Sequence, residues 1–348
     1  MSNSHPFASG MPLEYDGVAL TPPAGDSRYG ENHAFWIHDE ATGVQINAHI
    51  NTREDLGAYA QRVGKMSIIF PDGRLLLLRE HGANSQPGSP ASAGLRARCI
   101  EPFCRWTLEF NGVMQDATIA RNYMTANALD FPLVSVSIAV ELEMVAPAWR
   151  QGSLVEGGLG PVTALIGGER YEQLYRNRGT LHIGSQKISL SGYGNRTHRW
   201  GARDLGASAQ APRMLGHVWA AAYLPNGFGF GLQSYPTANG GVLWSEAHVL
   251  RDGRLDPAQI VQAPWLQNYW ERGERFAIRL KTRDEVTHEI RGETIGTAAS
   301  LMLPGPTPGD YIPLMQAYAR YEVDGQSAIN MLERSLRRSC IETGVGRP

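Results

Sequence analysis

The chain has 348 residues, with 32 Lys and Arg against 34 Asp and Glu and a formal net charge of -2 at neutral pH, so no overall field recruits nucleic acid or an anionic membrane. Its three cysteines, Cys99, Cys104 and Cys340, include one C-x4-C pair but not the second His/Cys pair that zinc spacing requires, and no stretch approaches the ~18 apolar residues of a membrane helix. Thirty-nine glycines, 21 prolines and only 19% charged residues argue against long charged helices and for many strands joined by tight turns.

Residues 1–30 are polar and turn-rich, with Pro22-Pro23-Ala24-Gly25-Asp26, and read as an irregular surface arm. They lack the basic and apolar regions of a signal peptide, so a soluble, cytoplasmic protein is expected. From Asn32 the period changes to two: Ala34 to His38, Gly43 to Ile50 and Met66 to Phe70 read as strands, and Pro71-Asp72-Gly73-Arg74 turns the last into Leu75-Leu76-Leu77-Leu78. Residues 82–96 are a Gly/Ser/Ala/Pro-rich loop, after which Cys104 to Gly112 and Val134 to Met144 continue the series.

Between Ala146 and Gly168 the composition shifts to Pro, Gly and small residues, which predicts a boundary between a domain at 31–165 and a second at 166–348. Strands resume with a hairpin, Gly179 to Ile183 and Ile188 to Gly192, turning at Gly184-Ser185-Gln186-Lys187. Met214 to Tyr223, Gly227 to Tyr235, Gly241 to Leu250, Arg275 to Lys281 and Val286 to Ile295 follow as strands. Leu314 to Tyr321 and Ala328 to Arg338 read as short helices. The fold class expected is therefore all-β: two stacked antiparallel β domains with few short helices.

The hairpin delivers the chain into Gly192-Tyr193-Gly194-Asn195-Arg196-Thr197-His198-Arg199-Trp200-Gly201-Ala202-Arg203-Asp204. If this span is extended, Arg196, His198, Trp200 and Asp204 share one side of a strand and present a cation, a proton shuttle, an aromatic wall and a carboxylate. Polar groups at that density need many satisfied hydrogen bonds or a ligand. Arg196 and Arg203 flank His198, and each is expected to hold Asp204 or Glu172 in an ion pair or to bind a substrate carboxylate or carbonyl. A buried arginine beside His198 would depress its pKa unless a carboxylate compensates, so a carboxylate partner is expected, Asp204 first and Glu172 second. His33, His38 and His49 could gather across strands, but nothing in their spacing demands a metal. No G-x-S-x-G, dinucleotide fingerprint or phosphate loop is present.

The central span resembles the G-x-G-x-R-D-H-x-W-G-x-R-D pattern of a bacterial family related to carotenoid 1,2-hydratase (hydroxyneurosporene synthase) and the AttH-like proteins. Arg170-Tyr171-Glu172-Gln173, Glu31 to Ile37 and Trp106 to Gly112 are also similar to that family, so the resemblance spans roughly residues 25–335. It implies a tandem of lipocalin-like β-barrels with an apolar cavity for an isoprenoid or similarly hydrophobic molecule. In those hydratases the His and Trp of the motif, with a Tyr and an Asp on following strands, are implicated in protonating a double bond. His198 and Trp200 correspond by motif, and Tyr223 lies at a similar distance downstream but lacks the x-Asp that follows in the family. Thr197 stands where the family pattern carries Asp.

The combined expectation is a cofactor-free, metal-free acid-base enzyme, a hydratase or dehydratase, isomerase or cyclase, acting on an isoprenoid, steroid or polycyclic substrate. A non-catalytic carrier of a lipid-like or terpenoid ligand is the alternative. His198, Asp204, Glu172 and Tyr223 are the catalytic candidates. Trp200, Arg196, Arg203, Trp219, Tyr235 and Trp244 are the substrate-binding candidates, the two arginines as orienting charges and the others because aromatic faces stabilise a developing cation by about 0.5–2 kcal/mol. The partner expected is a hydrophobic small molecule, with no nucleic acid and no membrane span; a homodimer is allowed.

Overall fold

A computed structural model of the chain describes residues 5–17, 29–52, 61–118, 131–156, 158, 168–202, 214–237, 241–267, 272–304 and 311–343. The first unit is built from strands β1 (Tyr29–His38), β2 (Gln45–Thr52), β3 (Arg62–Ile69), β4 (Arg74–Gly82), β5 (Ala91–Ser92), β6 (Leu95–Glu101), β7 (Arg105–Thr118), β8 (Leu133–Met144), β9 (Trp149–Arg150), β10 (Glu169–Ile183) and β11 (Gln186–Ala202). Their order is β4-β3-β2-β1-β11-β10-β8-β7-β6-β5, with β9 on β10, and β4 also pairs with β7, so the sheet closes on itself. The second unit, β12 (Gly216–Tyr223), β13 (Gly229–Pro236), β14 (Val242–Arg251), β15 (Arg254–Gln262), β16 (Arg275–Thr282), β17 (Thr287–Pro304), β18 (Tyr311–Val323) and β19 (Gln326–Leu336), is a closed antiparallel barrel in chain order.

Alternation places each core. In β8, Val136, Ile138, Val140, Leu142 and Met144 are buried while Glu141 and Glu143 face out, the period-two pattern of a strand with one wet face. In β1 the odd residues Phe35 and Ile37 join the first core, whereas the even residues Ala34 and Trp36 pack on Trp219 and Ala221 of the second barrel. The two units thus meet through the outer face of β1, β10 and β11, and what lies between them is polar as well as aromatic.

Three expectations change. The hairpin carrying the motif pairs with β1 and β8, which places residues 169–202 in the first unit and not in a second domain beginning at 166. Leu314 to Tyr321 and Ala328 to Arg338 are not helices: β18 and β19 occupy them up to Leu336, because closing the second barrel requires β19 to bond both β18 and β12. Finally, the arm is not all irregular. It carries a 3-10 turn at Pro6–Ala8 and a short helix at Glu14–Gly17, and it packs across one end of the first barrel.

Gly194 explains one part of the motif. A Cβ at this position would collide with the Trp36 carbonyl oxygen and the Tyr175 ring, and the Tyr175 hydroxyl donates to that same carbonyl at 2.7 Å. Only glycine lets β11 approach β1 closely enough there.

Candidate functional site

The even residues of β11 face the interior of the first barrel. Ile188 and Leu190 join its apolar core, while Arg196, His198 and Trp200 meet at one end, each with Tyr171 as a ring neighbour. Strand register sets this arrangement: His198 is paired across the sheet with His33 of β1 on one side and Tyr171 of β10 on the other. Its ring stacks on His33 with centroids 4.1 Å apart and planes at 14°, and lies 4.8 Å from the ring of Trp200.

The carboxylate partner of His198 is Glu31, with Oε1 2.9 Å from Nε2 and both side chains fully buried. On the other side of the imidazole, Nδ1 is 2.8 Å from the backbone carbonyl of Tyr15. A carbonyl can only accept, so Nδ1 carries a proton, and a second proton must then lie between Nε2 and Glu31. Burial alone would push the Glu31 carboxyl up, but its hydrogen bonds with His198 and His33 hold it well below the usual carboxylate range. Arg62 adds a bond to the other oxygen, Nη2 to Oε2 at 2.7 Å. With its carboxyl held low, Glu31 stands as a carboxylate that accepts on the Nε2 side of His198. His33, brought down to about 4 by burial and by the His198 charge, is neutral at pH 7.

Glu31, His33 and His198 also bring three potential metal-ligand atoms within 4.8 Å of one another. Two observations oppose a metal there. A metal bound to an imidazole lies near the ring plane, and two rings stacked at 14° share no such point; in addition, the Arg62 guanidinium holds the second carboxylate oxygen. His38 and His49 lie on the opposite face of the sheet, where His38 meets Tyr318 and His49 meets Gln316, so the three histidines considered together from sequence do not meet.

Arg196 pairs with Asp16, Nη1 to Oδ1 at 2.6 Å, and not with Glu172. Asp16 comes from the N-terminal segment and also accepts from the Tyr171 hydroxyl at 2.5 Å, from Trp106 Nε1 at 3.1 Å and from the Phe103 backbone N–H. Although burial pushes the Asp16 carboxyl up, the Arg196 charge and these donors bring it below its ordinary value.

Glu172 is paired with Thr197 across the hairpin, so it points away from His198, out of the first barrel and toward the second. It accepts from Trp219 Nε1 at 2.7 Å, from Gln233 Nε2 and from Asn195 Nδ2 at 3.4 Å, with Arg170 Nη2 3.4 Å away. Burial pushes its carboxyl up to about 7 despite the pull of Arg170 and these donors. Around it the seam between the units is aromatic and polar. Trp36 meets Trp219 edge to face at 4.7 Å, and His217 bonds Glu333 at 3.1 Å and stacks on Tyr235, which meets Trp244 at 6.0 Å. On the same face of β2, the buried side-chain amides of Gln45 and Asn47 have no hydrogen-bond partner among the described residues.

The sequence-derived candidates thus divide between two places. His198, Arg196 and Trp200 lie at the end of the first barrel; Glu172, Trp219, Tyr235 and Trp244 lie in the seam. Tyr223 packs on Tyr193 at 5.2 Å, five residues before His198 and on the opposite face of β11, so it does not join the His198 group. Arg203 and Asp204 lie outside the described residues. Sequence reasoning missed Glu31, Asp16 and Tyr171. Glu31 and Tyr171 stood inside stretches singled out for their resemblance, and Asp16 stood in the arm.

Residues 16–337 match the family model of a domain of unknown function, DUF7064. No curated protein matches the sequence. Among solved structures, the AttH-like protein of Nitrosomonas europaea is 13% identical, with 91% of this chain and 96% of that one covered at a TM-score of 0.55. CghA is 10% identical over 96% of each chain at a TM-score of 0.49. Kievitone hydratase from Nectria haematococca is 9% identical, with 93% of this chain and 95% of that one covered, at a TM-score of 0.47. At such identities likeness speaks for the fold alone. The chain belongs to the DUF7064 family and has the all-β, tandem lipocalin-like fold of the AttH-like protein.

Proposed function

We propose that this protein is an acid-base enzyme acting on a hydrophobic substrate, a hydratase or dehydratase, isomerase or cyclase, with His198 as the proton donor. The observation that carries this reading is the His198 imidazole held between two acceptors, Glu31 Oε1 at 2.9 Å and the Tyr15 carbonyl at 2.8 Å, inside an aromatic enclosure; both ring nitrogens then carry a proton. The Nδ1 proton points at the N-terminal segment, so a substrate acceptor takes the place now held by the Tyr15 carbonyl. Donation from Nδ1 to a double bond or a leaving hydroxyl leaves a neutral imidazole whose remaining Nε2–H still bonds Glu31. That imidazole then recovers a proton from the adjacent carbon, in an isomerisation or elimination, or from the water that adds, in a hydration. Trp200 supplies the face that tolerates positive charge on carbon. An isoprenoid, steroid or polycyclic skeleton suits this chemistry, which uses no cofactor and no metal.

Organic extracts of the purified wild type, His198→Gln and Glu31→Gln proteins, compared by mass spectrometry, test the reading. A hydrophobic molecule that differs between wild type and both variants by water or by an isomerisation is expected. The same unaltered molecule in all three proteins would make the chain a carrier and overturn the assignment.

A second reading has its own observation. Glu172, with a carboxyl near neutrality at about 7 and indole walls, is a proton donor facing the seam. Glu172→Gln in the same extraction separates the two, since only this reading expects that variant to alter the molecule.

A further inference from the structure

Four hydrogen-bond donors of the first barrel converge on one carboxylate. Arg196 Nη1 and the Tyr171 hydroxyl reach Asp16 Oδ1 at 2.6 and 2.5 Å, and Trp106 Nε1, at 3.1 Å, and the Phe103 N–H reach Oδ2. The donors belong to β11, β10, β7 and the turn between β6 and β7, whereas the carboxylate alone comes from outside the barrel. The barrel also orients Arg196 and the Phe103 backbone without help from Asp16. Arg196 Nη2 donates to Gln173 Oε1 at 2.5 Å, Gln173 in turn donates to the carbonyls of Phe103 and Ala146 at 3.0 Å each, and the guanidinium lies over the rings of Trp106 and Tyr171 at 5.2 and 5.3 Å. Phe103 holds a left-handed backbone with φ 60°, a conformation that L residues rarely adopt, and its N–H is aimed at Asp16. Preorganised, buried donors around a single guanidinium are how proteins recognise a carboxylate.

The segment that delivers Asp16 has the character of a ligand. Residues 5–17 add no strand to either barrel. Ala8 and Met11, with Phe7, Leu13 and Tyr15, pack on Phe103, Ala148, Tyr171 and Trp200, and the apolar stretch ends at the Asp16 carboxylate. An apolar body that terminates in a carboxylate therefore already sits at the mouth of the barrel.

We infer that this end of the first barrel is a carboxylate-binding site, that Asp16 occupies it as an internal mimic, and that its ligand is an amphipathic carboxylate, an apolar tail ending in –COO⁻. The ligand carboxylate takes the four donors of Asp16, and its tail takes the surface that Phe7, Met11, Leu13 and Tyr15 leave. Because Asp16 is tethered, it competes at a high effective concentration, so the wild-type protein binds such ligands weakly. The site does not rest on proton transfer by His198, since binding reads the four donors that now hold Asp16.

Laurate titrated into the folded full-length wild type and Asp16→Asn proteins, followed by calorimetry with dodecanol as control, tests this inference. Asparagine keeps the shape of Asp16 but loses its charge and turns either an amide N–H or a weaker acceptor toward the donors. Laurate is expected to bind Asp16→Asn at least tenfold more tightly than wild type, and dodecanol is expected to gain nothing. A folded variant with no tightening, or one that binds dodecanol as well as laurate, overturns the inference. Should Asp16→Asn not fold, the wild type decides. Saturating laurate, and not dodecanol, must raise amide hydrogen exchange in the segment from Phe7 to Gly17, and unchanged exchange overturns it. Loss of the extract difference at His198 with laurate binding intact would refute the proposed reaction and leave this site standing.

Discussion

Glu172→Gln isolates the cost of a buried charge. In the folded chain the Glu172 carboxyl ionises at about 7 instead of the ordinary 4.5. Its folded value is raised, so the stability it contributes is fully present below 4.5 and is lost as pH rises through about 7, where the native state must hold an expensive anion. The difference corresponds to roughly 3 kcal/mol. Glutamine has nothing to ionise, and its carbonyl oxygen can still accept from Trp219 Nε1. Urea denaturation of both proteins between pH 4.5 and 8 gives the difference in unfolding free energy at each pH, and the buried histidines, common to both chains, cancel. That difference is expected to move in favour of glutamine by about 3 kcal/mol across the window, most of it between 4.5 and 7. A difference that stays flat would refute the reasoning, because it would mean that Glu172 ionises in the fold as it does in water.

Two further outcomes follow from named contacts. Burial brings His33, His38 and His49 down to about 4. These folded values are depressed, so their stability is present above 6.5 and is lost as pH falls toward 4, by roughly 3 kcal/mol for each histidine; a wild-type urea midpoint that holds steady from pH 7 to 4 would contradict this. Gly194→Ala sets a Cβ against the Trp36 carbonyl and the Tyr175 ring, which are backbone and a fully buried side chain, and should cost about 3 kcal/mol or more in thermal or chemical unfolding. A loss near the ordinary glycine-to-alanine scale, below ~1 kcal/mol, would mean that β1 and β11 can part without penalty.

Alternation made much of the fold legible. The strand series, the hairpin at Gly184-Ser185 and the common face of Arg196, His198 and Trp200 all follow from a period of two. The same hairpin also fixes which side chain of β10 stands opposite His198. Closed at Ile183 and Gln186, it sets Tyr171 opposite His198 and so removes Glu172 from that face. Glu31 was hidden for a different reason: it lies 167 residues from His198 in sequence, and only the pairing of β1 with β11, a long-range contact with no local signature, brings them together. Asp16 was hidden because a polar arm gives no sign of folding one carboxylate into a barrel. The helices expected at 314–321 and 328–338 fail because Met315, Gln316 and Ala317, and Met331, Leu332 and Glu333, favour helix by intrinsic propensity, whereas barrel closure overrides that preference.

The account turns on the proton state of His198, and nitrogen-15 NMR of histidine-labelled wild type protein at pH 7, assigned with His198→Gln, reads it directly. The imidazole of His198 is expected to show both ring nitrogens protonated, one facing Tyr15 and one facing Glu31. One bare and one protonated nitrogen would contradict it, because a neutral His198 beside an ionised Glu31 has no spare proton to give.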